Sequence, residues 1–249
     1  MTLPDAFFAR PISHRALHDR RAGRVENSIK SIQAAVDAGY GIELDVQLSS
    51  DGQAMVFHDD LLNRLTGETG PTRSRSRAEL ETIPLTDDGG TIQSLETVLS
   101  LVAGKVPLLV EIKDQDGEMG PNIGPLEKAT CKALEGYNGD VALMSFNPHA
   151  IAVCATLAPN IPRGLVKSSY RAAYWPEVPE HVRDTLRDIP DYDRVGACFI
   201  SHEANDLDRP RVAELKAKGA HILCWTIRSA KQEAEARRIV CLLYTSDAA

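Results

Sequence analysis

The chain has 249 residues, the size of one α/β barrel or two small domains, and its 43% hydrophobic content with 17 glycines and 14 prolines is that of a globular protein able to bury a full core. A net charge of −7, from 35 acidic and 28 basic residues in no long run, argues against a nucleic-acid partner or an anionic membrane surface, so a phosphate ligand needs locally placed cations. With no 18-residue apolar stretch and no basic start leading into an apolar run, the expectation is a soluble, cytoplasmic chain without stable membrane insertion. The five cysteines are scattered singly without C-x-x-C spacing and are expected to be buried, reduced thiols.

Short apolar runs alternate with helical periodicity along the chain, the pattern of a parallel sheet with crossover helices. A strand at 11–14 leads into a helix at 26–38, where Ile29, Ile32, Ala35 and Val36 recur at helical spacing, and the second strand follows at 41–46. A helix at 94–102 precedes a strand at 106–112, and a helix at 126–134 precedes a strand at 141–146. Next come a helix at 148–157, a strand at 163–166, a strand at 197–201, a helix at 211–218 and a strand at 221–227, giving seven parallel strands. Residues 60–90 and 168–195 carry little strand or helix signal and are expected as long loops on the binding face. No repeat or composition shift divides the chain, so residues 1–249 are read as one domain.

The chemistry concentrates at predicted strand ends. Glu43 and Asp45 stand two apart in one strand and therefore face the same side. The Asp51-Gly52 pair favours a two-residue hairpin turn, and pairing around it sets Asp45 opposite His58. Glu111 and Lys113, again two apart, end a strand that is otherwise apolar, and His14 and Arg15 end the first strand. Polar residues at the C-terminal ends of barrel strands line the active site. Glu43, Asp45 and Glu111 suit a hard divalent cation, Mg²⁺ or Ca²⁺; Arg15 and Lys113 suit a phosphate; His14 and His58 suit proton transfer. Taken singly, Glu111 and Lys113 also read as a structural ion pair. His18, His149, His202 and His221 are read as structural, although His202 follows a strand near the mouth.

His14-Arg15, Glu26-Asn27-Ser28, Glu43-x-Asp45, Asp51-Gly52, His58-Asp59, Arg64-x-x-Gly67 and Glu111-x-Lys113 resemble, in identity, order and spacing, the glycerophosphodiester phosphodiesterases. Ser145-Phe146 and Cys224-Trp225-Thr226 look like later landmarks of the same family, so the resemblance covers residues 10–239. It implies a (β/α)₈ TIM-type barrel with Glu43, Asp45 and Glu111 on the metal, Arg15 and Lys113 on the phosphate, and His14 and His58 as general acid and base. The implied substrate is a small glycerophosphodiester, cleaved to glycerol 3-phosphate and an alcohol. A phospholipid or lysophospholipid substrate is the alternative, with Tyr170, Tyr174 and Trp175 as the candidate membrane-facing residues, and an inactive phosphate-binding barrel is a further one. The chain departs from the family in two places: Ala16 stands where a glycine usually follows His-Arg, and residues 240–249 resemble no barrel strand. The expectation is therefore a barrel lacking its last β/α unit, with 240–249 as a non-native tail.

Overall fold

The apolar runs form strands and the amphipathic runs between them form helices packed outside. The computed structural model describes residues 1–245. Eight strands run parallel in a ring: β1 (Ile12–Ser13), β2 (Gly41–Leu48), β5 (Leu108–Ile112), β6 (Val141–Ser145), β7 (Arg163–Lys167), β8 (Phe199–Glu203), β9 (His221–Ile227) and β10 (Leu242–Thr245). Each pairs with the next, and β1 pairs with both β2 and β10, which closes the barrel. Two short strands, β3 (Ala54–Val56) and β4 (Gln93–Ser94), extend the sheet antiparallel from β2.

The helices are α1 (Ile29–Ala38), α2 (Arg77–Leu80), α3 (Leu95–Val102), α4 (Pro125–Ala133), α5 (Pro148–Leu157), α6 (Glu180–Arg187), α7 (Pro210–Ala217) and α8 (Ala230–Ala236). Local chemistry starts several of them: Ser28, Ser94 and Asn147 accept hydrogen bonds from the first-turn amides of α1, α3 and α5. Ile12, Leu109, Ala142, Met144, Val166, Phe199 and Leu223 form one buried cluster, to which the N-terminal segment adds Leu3 and Phe7. A Cβ at Gly41 would meet the end of the Ile12 side chain, so any larger residue there would force Ile12 to move in the β1–β2 contact. Outside the ring, the apolar faces of α1, α3 and α4 pack against β2 and β5 in a larger core.

Four of the five cysteines are buried as expected but Cys241 is exposed, and the structure departs from the sequence-based expectations in three further places. The position expected to lack an eighth strand is filled by Leu242–Thr245, with Tyr244 paired to Ile12 and Leu242 to Leu223. Leu-Leu-Tyr-Thr is a run of strand-compatible residue types, and it covers the edges that β1 and β9 would otherwise expose. The rest of the expected tail, residues 246–249, lies outside the described residues.

The hairpin register is also shifted by one residue, since Val46 pairs with Val56 and the Asp45 carbonyl accepts from the Phe57 amide. The turn is longer than the two residues expected, because the Ser49 amide donates to the Gln53 carbonyl around a loop in which Gly52 has φ +77°. Finally, residues 168–195 contain helix α6, while residues 60–90 contain helix α2 and pack Leu62, Leu65, Leu80, Ile83 and Leu85 against Val25, Met55, Phe57 and Ile92 in a small core.

Candidate active site

All seven residues singled out from the sequence line one cavity of about 340 Å³ at the C-terminal mouth of the barrel: His14, Arg15, Glu43, Asp45, His58, Glu111 and Lys113. The period-2 rule explains the strand contributions. Glu43 and Asp45 from β2 and Glu111 from β5 project inward, with Asp45 directly beside Glu111 in the parallel register. One oxygen from each of these three carboxylates lies within 4.8 Å of the others.

Gathering three carboxylates in a buried pocket is unfavourable without compensation. Lys113 Nζ lies 2.8 Å from Glu111 Oε1 and 3.5 Å from Asp45 Oδ1. Burial opposes the Lys113 ammonium, yet Glu111 and Asp45 outweigh it and raise its pKa. Burial likewise opposes the Asp45 anion, but His58, Lys113, Arg15 and a 2.9 Å hydrogen bond from Asn27 hold that carboxyl below its usual range. Glu43 differs. It accepts from the Arg15 amide at 2.8 Å, no side-chain cation forms an ion pair with it among the described residues, and burial together with Asp45 and Glu111 raises its pKa well above the ordinary value. A hard divalent cation bound by Glu43, Asp45 and Glu111 would supply the missing positive charge, so the donor set fits Mg²⁺ or Ca²⁺.

Arg15 is held from three sides: it donates to Glu26 and lies against His58 Nε2, both at 2.8 Å, and its Nε is 3.8 Å from Asp45. His58 bonds Asp59 through Nδ1 at 2.6 Å, and Arg64 ties Asp59 to Glu26. Glu26 is held down at about 2, where burial is outweighed by Arg64 and Arg15. Burial and the Arg15 charge lower His14 to about 3, so its imidazole is neutral near pH 7.

The sequence reading placed Glu26, Asn27, Asp59 and Arg64 in motifs without giving them tasks; the geometry makes them the support of Arg15, Asp45 and His58. It quoted Phe146, Trp225 and Thr226 as landmarks and Trp175 as a membrane-facing candidate without placing them in the cavity wall, and it missed Met144, Val166 and Arg228 there. His202 stands apart from the cavity, fully buried and bonded to Asp206. His18 turns its Nδ1 to the His14 carbonyl. Of the three aromatics that the alternative lipid-substrate reading offered as membrane-facing candidates, Tyr170 is buried, Trp175 joins the cavity wall, and Tyr174 is exposed.

Residues 14–244 match the family described as "Glycerophosphoryl diester phosphodiesterase family". The chain belongs to that family. Among curated relatives, YqiK of Bacillus subtilis (strain 168), an uncharacterized protein, is 33% identical over 152 residues, covering 57% of this chain and 61% of its own. A glycerophosphodiester phosphodiesterase of Caldanaerobacter subterraneus subsp. tengcongensis is 31% identical over 151 residues, covering 57% of this chain and 60% of its own. The chain thus spans about three fifths of the length of these two relatives. A phosphodiesterase of Oleispira antarctica, solved in complex with its product sn-glycerol-3-phosphate, superposes with a TM-score of 0.76 at 22% identity, covering 94% of this chain and 91% of that one. This family member thus has the barrel fold of the Oleispira protein. Among its described residues no helix is long and apolar enough to cross a membrane.

Proposed function

We propose that this chain is a metal-dependent glycerophosphodiester phosphodiesterase, hydrolysing a small glycerophosphodiester to glycerol 3-phosphate and an alcohol. The observation that carries the reading is the buried cluster of Glu43, Asp45 and Glu111 beside two cations and two histidines in one cavity. Family membership and the activity named for the Caldanaerobacter relative support it.

In this reading Glu43, Asp45 and Glu111 would hold a divalent cation, which would supply positive charge to neutralise the phosphate and make a nearby hydroxyl more acidic. Arg15 and Lys113 bind the phosphate oxygens, and Arg15 exchanges its contact with His58 Nε2 for the phosphate. That exchange frees His58. His14, neutral at working pH, accepts the proton of the neighbouring glycerol hydroxyl as that oxygen attacks phosphorus. His58, oriented through Nδ1 by Asp59, donates a proton from Nε2 to the departing alcohol, and Asp59 balances the imidazolium. The P–O bond to the alcohol breaks as the bond to the glycerol oxygen forms. Water then opens the cyclic phosphate with the two histidines in reversed roles.

The packing of Tyr170 and Trp175 against Phe146 favours a small diester over a lipid in a bilayer. The reading includes a cytoplasmic location, which the free cysteines support. Glycerol 3-phosphate release from glycerophosphocholine tests the function: metal-dependent release supports it, and none from a folded, metal-loaded chain overturns it.

A further inference from the structure

A second cavity of about 230 Å³ opens beside the first and shares Glu111, Lys113, Phe146 and Trp175 with it. The shared residues include the phosphate-binding candidate Lys113, so a diester whose phosphorus sits there has one ester arm within reach of each cavity. The second cavity is lined by Tyr174 and Trp175 together with Asp60, Asp114 and Glu177. Trp175 packs on Phe146 at 4.9 Å between ring centroids, which fixes an aromatic face there, and Tyr174 is 75% exposed.

Charge separates the two cavities. The first balances Glu43, Asp45 and Glu111 against Arg15, Lys113 and Arg228. In the second, the single cation Lys113 is already engaged by Glu111 and Asp45. Asp60 accepts from the neutral Gln47 amide, Asp114 from backbone amides and Asn147, and no lysine, arginine or histidine forms an ion pair with Asp60, Asp114 or Glu177 among the described residues. Aromatic faces joined to uncompensated carboxylates attract ammonium groups and repel anions.

We propose that this second cavity receives the alcohol arm of the diester and selects alcohols bearing a cationic ammonium group. The inference rests on the phosphodiesterase reading and names the substrate class of that site. Trp175 and Tyr174 meet the ammonium methyl or methylene groups, and Glu177, Asp60 and Asp114 supply the opposing charge. Neutral polyol arms gain neither contact, and a carboxylate-bearing arm is repelled.

Comparing kcat/KM for glycerophosphocholine and glycerophosphoglycerol tests this, in the wild type and in Glu177→Lys and Tyr174→Ala, both at exposed positions. The wild type is expected to favour the choline diester by about tenfold, with each variant lowering the ratio about threefold and added salt lowering it further. Calorimetric binding of the two diesters in chelator reads the same preference without turnover. Equal hydrolysis of both diesters, or a preference that neither variant moves, overturns the inference and leaves the phosphodiesterase reading intact. Selective binding of glycerophosphocholine by a chain that hydrolyses neither supports the inference and overturns that reading. Absence of selectivity in both assays overturns the inference as well.

Discussion

Asn27 Nδ2 donates to Asp45 Oδ2 at 2.9 Å, and Asn27 Oδ1 faces the Asp45 amide at 3.4 Å, so one buried side chain fixes both the carboxylate and the backbone of a candidate metal ligand. Asn27 reaches this place with φ +57° immediately before Ser28, which caps α1. Partners that orient a ligand typically carry a ten- to hundredfold effect on metal affinity. Asn27→Ala is therefore expected to weaken metal binding by about tenfold or more. Calorimetric titration with Mg²⁺ and Ca²⁺ checks it.

Ala16 occupies φ +66°, is buried, and donates its amide to the Glu43 carbonyl at 3.0 Å. A Cβ in the left-handed region costs roughly 1 kcal/mol that glycine avoids. Ala16→Gly should stabilise the protein by about that amount without moving the loop that carries His14 and Arg15. Urea unfolding of the two proteins measures the difference, and a destabilised variant would show that the Ala16 methyl packs better than its backbone is strained.

Lys167 ends β7 pointing away from the cavity, with Nζ fully buried, no hydrogen-bond partner among the described residues, and the ring of Tyr170 5.8 Å away. Burial lowers it to about 7, against partial support from Asp191. The unfolded chain keeps a lysine near 10.4, so between pH 7 and pH 10 it binds a proton that the folded chain does not, and this residue makes stability rise with pH across that window. Below pH 7 its contribution is level. Lys167→Met should remove that slope and raise the melting midpoint at pH 7 by roughly 5 °C or more. Melting curves of both proteins across pH 6–10 test the difference, which should shrink as pH rises.

The strand Leu242–Thr245 joins β9 to β1 and closes the ring. Deleting residues 242–249 leaves two parallel edges unpaired, so the shortened chain should melt several degrees lower and self-associate. Scattering and melting experiments at several protein concentrations check this. An unchanged midpoint would mean that the pairing adds nothing to stability.

The carboxylates and Lys113 were legible in the sequence because a strand has period 2: Glu43 with Asp45, and Glu111 with Lys113, could only share a face, and barrel strands expose that face at one end. The hairpin was not legible to the residue. Asp51-Gly52 favours a two-residue turn, but Ser49 Oγ accepts from the Gln53 amide and donates to Asp51, lengthening the loop and shifting Asp45 opposite Phe57. His58 reaches the cavity by leaving the ladder after Val56, not by pairing across it. Helix α6 escaped notice because Leu186 is its single buried residue. The Trp175 wall is invisible to local patterns, since loop 168–179 has no period and its placement depends on Phe146 from elsewhere in the chain as well as on Tyr170 within the loop.

The central claim is that the Glu43, Asp45 and Glu111 cluster holds a divalent cation needed for phosphodiester hydrolysis. The most direct test measures glycerol 3-phosphate release from glycerophosphocholine by the wild type and Glu43→Gln, each in chelator and with increasing Mg²⁺ or Ca²⁺. Activity of the wild type that disappears in chelator, returns with metal, and falls at least about a hundredfold in a folded Glu43→Gln protein is the predicted result. Hydrolysis that survives chelation, or is the same in Glu43→Gln, would contradict the account.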